Sequence, residues 1–285
     1  MRNNPEVQQA VSLYQLGLPH IPSAGRSGEM LGRGTGSSVE FQEYRDYFPG
    51  DDIRHLDWAA YGRSDSLMVR LYREEISPQT EILVDATSSM TTGNGVKKEV
   101  TKQLAAMFSL MVNAVGGRPR LFLLDDAKVI QPHGNEGLDL LEQHPFNAIR
   151  SLDELLHHHQ LPLKQQSVRI VISDFLFPHD PELLIKRLAA NASTLWVVQV
   201  LTQFEAAPEV VGGRRLIDVE TDAQIDLMID PKTIALYLER LGRLQTELSQ
   251  NCRRAHAVFV TVVAERGLAS LCQNELTKAE ILRPT

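Results

Sequence analysis

From residue 80 onward, the apolar positions alternate between two patterns. Residues 80–84, 120–124, 168–172, 195–201 and 258–264 are short, mostly apolar runs, the last of them β-branched. That pattern predicts strands buried on both faces. Between the first two, Val100, Leu104, Phe108, Met111 and Val115 recur at helical spacing, and Gly116-Gly117 ends a helix predicted over 96–115. Ile149, Leu152, Leu155 and Leu156 predict a second helix over 146–157. Asp180-Pro181 and Asp230-Pro231 each join an N-cap residue to a proline at the first helical position. They predict a helix over 182–191 and a longer one carrying Ile234, Tyr237, Leu238, Leu241, Leu244 and Leu248 on one stripe. A last helix is predicted over 268–281, and 128–130 as a partner for the strand at 120–124. Strands alternating with helices need a sheet covered on both sides. The predicted fold is therefore α/β, a doubly wound, mostly parallel sheet.

The first eighty residues lack that rhythm. A short helix is expected over 5–18, with Val7, Val11, Leu13 and Leu16 as its apolar positions, and a strand over 67–76. Residues 22–38 hold five glycines, Gly25, Gly28, Gly32, Gly34 and Gly36, and read as a turn-rich surface segment. They are no phosphate loop, because no strand precedes them and no Gly-Lys-Ser/Thr follows. The expected organisation is an irregular, partly β elaboration over 1–79, packed on a sheet domain over 80–285.

A chain of 285 residues with 43% hydrophobic and 23% charged positions has the composition of a globular protein. Its net charge of −7 opposes a nucleic-acid role, which needs a concentrated basic surface. No apolar run reaches the length of a membrane span. Cys252 and Cys272 are its two cysteines, too few for a disulfide scaffold and in keeping with a reducing, cytoplasmic setting.

Two segments carry the candidate chemistry. The first strand of the rhythm ends in Asp85-Ala86-Thr87-Ser88-Ser89, a carboxylate followed by hydroxyls. Such a strand end aims oxygen ligands into the crevice where open α/β sheets bind their ligands, which points to a metal-assisted binding module. With no cation, Asp85 would instead cap the following turn through backbone N–H groups. The other segment gathers Arg45, Asp46, Asp51, Asp52, Arg54, His55, Asp57, Arg63 and Asp65 around Pro49-Gly50, with Tyr47 and Trp58 among them. A salt-bridge network is expected there, with Arg45, Arg54 and Arg63 offering forks to Asp51, Asp52 or Asp57 while Tyr47 and Trp58 cover them, and a type II turn at Pro49-Gly50. It serves either as bracing or as a docking face.

The string Arg45, Tyr47, Pro49-Gly50-Asp51, Arg54, Asp57-Trp58 and Arg63, followed by the strand ending at Asp85, resembles the domain of unknown function 58 family. The core of that family is similar to a von Willebrand factor A domain. The resemblance implies a non-catalytic protein-binding adaptor, partner of a MoxR-type AAA+ ATPase in assembly or maturation of client proteins. It also implies a divalent-cation site, with Mg²⁺ held by Asp85, Thr87, Ser89 and Asp174. The family's second-loop threonine has no counterpart, since no threonine lies between Thr101 and Thr194 and Ser151 is the only serine in 131–165. The alternative is a metal-dependent hydrolase of phosphoester or peptide bonds, drawing on Asp125, Asp126 or His133. His157-His158-His159 reads as a solvated helix end, because adjacent helical positions point in different directions. No Walker A sequence is present, so ATP hydrolysis would belong to a partner.

Overall fold

The structure, a computed structural model, describes residues 1–18, 39–49, 51, 53–74, 79–126, 136–159, 161–209, 212–217 and 224–285. In chain order its helices and strands are α1 (Pro5–Leu13), β1 (Tyr14–Leu16), β2 (Val39–Asp46), α2 (Trp58–Ser64), β3 (Met68–Glu74), β4 (Thr80–Asp85), α3 (Val96–Ala114) and β5 (Pro119–Leu124). There follow α4 (Glu136–Gln143), α5 (Leu152–His158), β6 (Ser167–Ser173), α6 (Pro181–Ala189), β7 (Ala192–Leu201), α7 (Gln203–Ala206) and β8 (Gly212–Ile217). The last are β9 (Gln224–Ile229), α8 (Pro231–Arg254), β10 (Val258–Val263), α9 (Gly267–Leu271) and β11 (Leu282–Pro284). The chain divides into two units, Met1–Leu18 with Pro78–Thr285, and Pro19–Ser77.

The first unit is built on a five-stranded sheet in the order β10-β7-β6-β4-β5, every pair parallel. Side chains alternate across it. Ile82, Val84, Ile170, Ile172, Trp196, Val198, Val200 and Val262 enter one core with Leu104 and Phe108 of α3, Val7 of α1 and Leu268 of α9. Leu83, Phe122, Val171, Leu195 and Val197 enter the other with Leu152 of α5, Leu184, Ile185 and Leu188 of α6 and Leu248 of α8. The expected doubly wound α/β fold is present, with the sheet covered on both faces.

Several expected boundaries shift for local reasons. The first helix stops at Leu13 because Tyr14 turns extended, and β1 then pairs antiparallel with β11. Asn4 starts it, accepting the Glu6 and Val7 N–H groups at 3.0 and 3.2 Å. The turn after β1 needs Gly17, whose N–H donates to the Ile281 carbonyl at 2.8 Å. A Cβ there would lie 1.9 Å from the Glu280 oxygen. The helix expected over 146–157 begins only at Leu152, where Ser151 and Glu154 form a capping box. Phe146 upstream takes a left-handed φ of 59°. The closing helix passes through a π turn, Cys272–Leu276, and gives way to β11. Helix α4 and the antiparallel pair β8–β9 had no sequence expectation. The strand expected at 128–130 lies outside the described residues.

At the N-terminal end of the sheet, Glu81 is fully buried and fully satisfied. It accepts from Arg120 at 2.6 Å, Arg169 at 3.2 Å, the Ser167 hydroxyl at 2.7 Å and the Lys164 N–H at 2.8 Å. Arg169 spends its remaining N–H groups on the Leu188, Ala190 and Lys164 carbonyls. With the carboxylate accepting four hydrogen bonds and every nitrogen of the Arg169 guanidinium engaged, this end is structural. The candidate site sits at the opposite end.

The second unit, described by itself, pairs β2 with β3 antiparallel through a register shift between Phe41 and Glu43. Asp57 starts its helix α2.

Candidate functional site

Chain order reverses within the sheet at β4. From there β5 lies on one side and β6 on the other, so the crevice beyond their carboxyl ends is the topological switch point. Asp85 ends β4, and Ser173-Asp174 ends β6. Two further elements close the crevice. A left-handed run, Gly93 at φ 68°, Asn94 at 54° and Gly95 at 83°, delivers the chain into α3 and places Lys97 in its first turn. Gly93 is required twice over, since a Cβ there would meet Thr202 Cγ2 at 2.6 Å. The short α7 is fixed by a reciprocal capping box between Thr202 and Glu205, which turns the Glu205 carboxylate inward.

These residues form one hydrogen-bonded cluster. Lys97 Nζ donates to Asp174 Oδ2 at 2.7 Å and to Glu205 Oε1 at 3.0 Å, with the lysine side chain 0% exposed, Asp174 1% and Glu205 16%. Asp174 Oδ1 accepts the Leu176 N–H at 3.0 Å. Glu205 Oε1 also accepts the Thr92 hydroxyl at 3.1 Å, and Oε2 the Thr202 N–H at 2.7 Å. Asp85 accepts the Thr87 N–H at 3.0 Å on one oxygen and the Ser173 hydroxyl at 2.5 Å on the other. The Thr87 and Ser89 hydroxyls bond to each other at 2.9 Å. In this arrangement each carboxylate oxygen of Asp85, Asp174 and Glu205 has a donor.

The electrostatics follow from burial. Desolvation, and after it the charge of Asp174, pushes the Asp85 carboxyl up to about 6. For Lys97, burial works against the charge, but Asp174 and then Glu205 outweigh it and lift the amine above the ordinary lysine range. The ammonium is therefore charged throughout neutral pH. The Tyr237 hydroxyl, donating to the Glu205 carbonyl at 2.8 Å, is pushed up to about 12 by burial and by Glu205.

Asp85 and Asp174 are thus brought to one place, joined through Ser173, with Thr87 and Ser89 on the following turn. The segment facing that turn supplies backbone: Ser88 N–H donates to the Ala148 carbonyl at 2.9 Å. Ser151 is committed to capping α5. Asp125 meets His144 at 2.9 Å, and Asp126 accepts the Ile149 and Arg150 N–H groups at 2.6 and 3.0 Å. His133 lies outside the described residues. Among the described residues, no group of three or more His, Cys, Asp or Glu side chains is placed to hold a metal ion. His157 bonds to the Asp153 carbonyl and to Arg187 at the surface. Sequence reasoning missed Lys97 and Glu205. The signals were present: Lys97-Lys98 opens a helix whose dipole disfavours cations there, and Thr202-x-x-Glu205 spells a capping box after a strand.

Residues 43–247 match the family model described as Protein of unknown function DUF58. The chain belongs to the DUF58 family. Its curated relatives include Uncharacterized protein Mb1516 of Mycobacterium bovis and Uncharacterized protein Rv1480 of Mycobacterium tuberculosis. Each is 24% identical over 276 residues, which is 93% of this chain and 87% of the relative. Among solved structures, the conserved hypothetical protein BatB from Bacteroides thetaiotaomicron is 13% identical, over 71% of this chain and 98% of that one, with a TM-score of 0.38. The SpRpn10 VWA domain is 12% identical, over 69% and 94%, with a TM-score of 0.36. Among the described residues, no helix is long and apolar enough to cross a membrane.

The DUF58 signature residues lie in the second unit. Arg45 donates to Asp51 at 2.8 Å and stacks over the Phe48 ring, 5.5 Å from its centroid. Asp51 also accepts the Phe48 N–H at 2.8 Å while returning its own N–H to the Phe48 carbonyl, closing the turn around Pro49. That backbone bond first, and Arg45 as well, holds the Asp51 carboxyl below its usual range. Asp57 is buried, capping α2 through the Ala59 and Ala60 N–H groups at 2.9 and 3.0 Å and accepting the Tyr44 hydroxyl at 2.8 Å. Gly50 and Asp52 fall outside the described residues. Trp58, expected to cover the charges, is 64% exposed, stacked edge-on with Tyr61. Tyr47 is half-buried, while Arg54 and Arg63 are exposed.

Proposed function

We propose that this DUF58 protein is a non-catalytic adaptor acting in the cytoplasm, where it binds a MoxR-type AAA+ ATPase and presents or matures client proteins with it. The observation that carries the reading is the apolar surface of the signature unit. Phe48, Ile53 and Trp58 are 58%, 63% and 64% exposed, with Tyr44, Tyr61 and Leu67 also open. A contiguous signature that leaves its large rings in water is matched to an interface, because Trp, Tyr and Arg dominate binding hot spots. The cytoplasmic setting is supported by the cysteines. Cys252 and Cys272 are free, buried and on opposite faces of the sheet.

The test is direct binding of the purified chain to a purified MoxR-type ATPase of the same organism, with Trp58→Ala and Phe48→Ala compared. Loss of at least about tenfold in affinity is expected from a hot-spot ring, equivalent to roughly 1.4 kcal/mol. Absence of binding by the parent, or equal binding by both variants, would refute the reading.

A further inference from the structure

We propose that the Lys97 ammonium is this protein's built-in cation: it occupies the Asp174 carboxylate, one of the four groups through which the resemblance implies a divalent ion, and Asp85, Thr87, Ser89 and Asp174 work without a metal. The proposal concerns what the strand-end crevice contains and is independent of the adaptor reading.

The donor set does not fit a divalent ion as it stands. Mg²⁺ requires near-octahedral oxygen coordination at short range and keeps several waters. Here Asp174 Oδ2 is in contact with a fully buried ammonium at 2.7 Å. An ion on that oxygen would meet the Lys97 charge inside the same dry space, where like charges repel strongly. The other implied ligands already have protein partners, since the Thr87 and Ser89 hydroxyls bond to each other and Asp85 has a donor on each oxygen. The segment beside that turn meets it through backbone, the Ala148 carbonyl accepting the Ser88 N–H and the Ala148 N–H donating to the Ala86 carbonyl.

The location of Lys97 makes an accidental origin implausible on physical grounds. It lies in the first turn of a nineteen-residue helix, where the macrodipole opposes a positive charge and favours an acid. It also lies in a fully buried position, where an amine loses its hydration. Both penalties are met by two carboxylates from separate loops, Asp174 after β6 and Glu205 on α7. One ammonium thereby ties α3, β6 and α7 together across the switch point. A partner carboxylate arriving at this edge would find no open coordination position. The stability of this edge is accordingly insensitive to chelators.

The experiment uses the full chain, with Mn²⁺ as the probe. Electron paramagnetic resonance counts free Mn²⁺, and thermal unfolding is followed with Mn²⁺, Mg²⁺ or EDTA. The parent protein is expected to bind no stoichiometric Mn²⁺ and to melt at the same temperature in all three. Lys97→Ala leaves the carboxylates without their cation and is expected to gain Mn²⁺ binding and a Mn²⁺-dependent rise in melting temperature. Adding Asp174→Asn to that variant should remove both. Lys97→Gln, which removes the charge but keeps a polar side chain only one atom shorter, is the second variant should the alanine form fail to fold. Stoichiometric Mn²⁺ on the parent that is lost in Asp85→Asn would overturn the proposal. So would a folded Lys97→Ala or Lys97→Gln protein that ignores Mn²⁺. If neither variant folds, the parent's Mn²⁺ count decides alone.

Discussion

Replacing Lys97 with methionine removes the ammonium while keeping most of its aliphatic volume, so the loss reports on charge rather than on a cavity. Asp174 is 1% exposed and would be left buried with its main counter-charge gone. Breaking such a pair from one side costs about 3–5 kcal/mol, against about 0–1 for an exposed pair. The Glu205 contact adds less, because that side chain is 16% exposed and retains the Thr92 and Thr202 donors. A loss of that size corresponds to roughly 6–20 °C in melting temperature for a unit of this length. Urea denaturation at neutral pH is the assay. An unchanged slope with a lowered midpoint would show that stability, and not the unfolded state, has moved. The double variant Lys97→Met/Asp174→Asn should recover a large part of the loss, since it removes the stranded charge and Asn keeps an acceptor for the Leu176 N–H. A Lys97→Met penalty under about 1 kcal/mol, or a double variant no better than the single, would refute the reasoning. Lys97 is raised above its ordinary value, so its contribution is complete below the unfolded lysine pKa and fades only as pH climbs past the folded one. Neutral pH is well inside that window.

Other outcomes follow from the same geometry. Asp85 sits at about 6 when folded against 3.8 unperturbed, so its contribution is present below the lower value and lost as pH rises through the upper one. Asp85→Asn should therefore gain on the parent by about 3 kcal/mol between acid and pH 8, and a constant difference in urea titrations would contradict this. Asp57→Ala removes the α2 cap and should cost about 1–2 kcal/mol, with faster hydrogen exchange at the Ala59 and Ala60 amides as the check. Burial pushes both the Cys252 and Cys272 thiols up to about 12, so neither should react with a thiol reagent until the protein unfolds. Labelling of the native chain at the rate of a free thiol would count against the packing described.

The central sheet was legible because its strands are buried on both faces and so read as unbroken apolar runs, and Asp85 and Asp174 stood out as the polar residues that end two of them. The short pairing of β1 with β11 was not legible. Each strand is three residues long, and only tertiary contact distinguishes it from a helix end. At residues 146–157, Ile149 matched a helical stripe by spacing alone and is 59% exposed. The Ser151/Glu154 box was the truer start signal. In the site, attention to oxygen ligands left no place for a lysine, although a cation written into the first turn of α3 was a conflict between levels. Such conflicts mark functional or strained positions. In the signature, charge pairing was foreseen correctly at Arg45–Asp51. The exposure of Trp58 was not, because sequence alone does not say which side of a seven-residue helix meets a core.

The most direct measurement is a high-resolution crystal structure of the full chain grown in Mn²⁺, with anomalous data collected at the manganese edge. The account predicts no anomalous peak between Asp85 and Asp174, and a lysine nitrogen bridging Asp174 and Glu205. A peak coordinated by Asp85, Ser89 and Asp174, with Lys97 swung away, would contradict it.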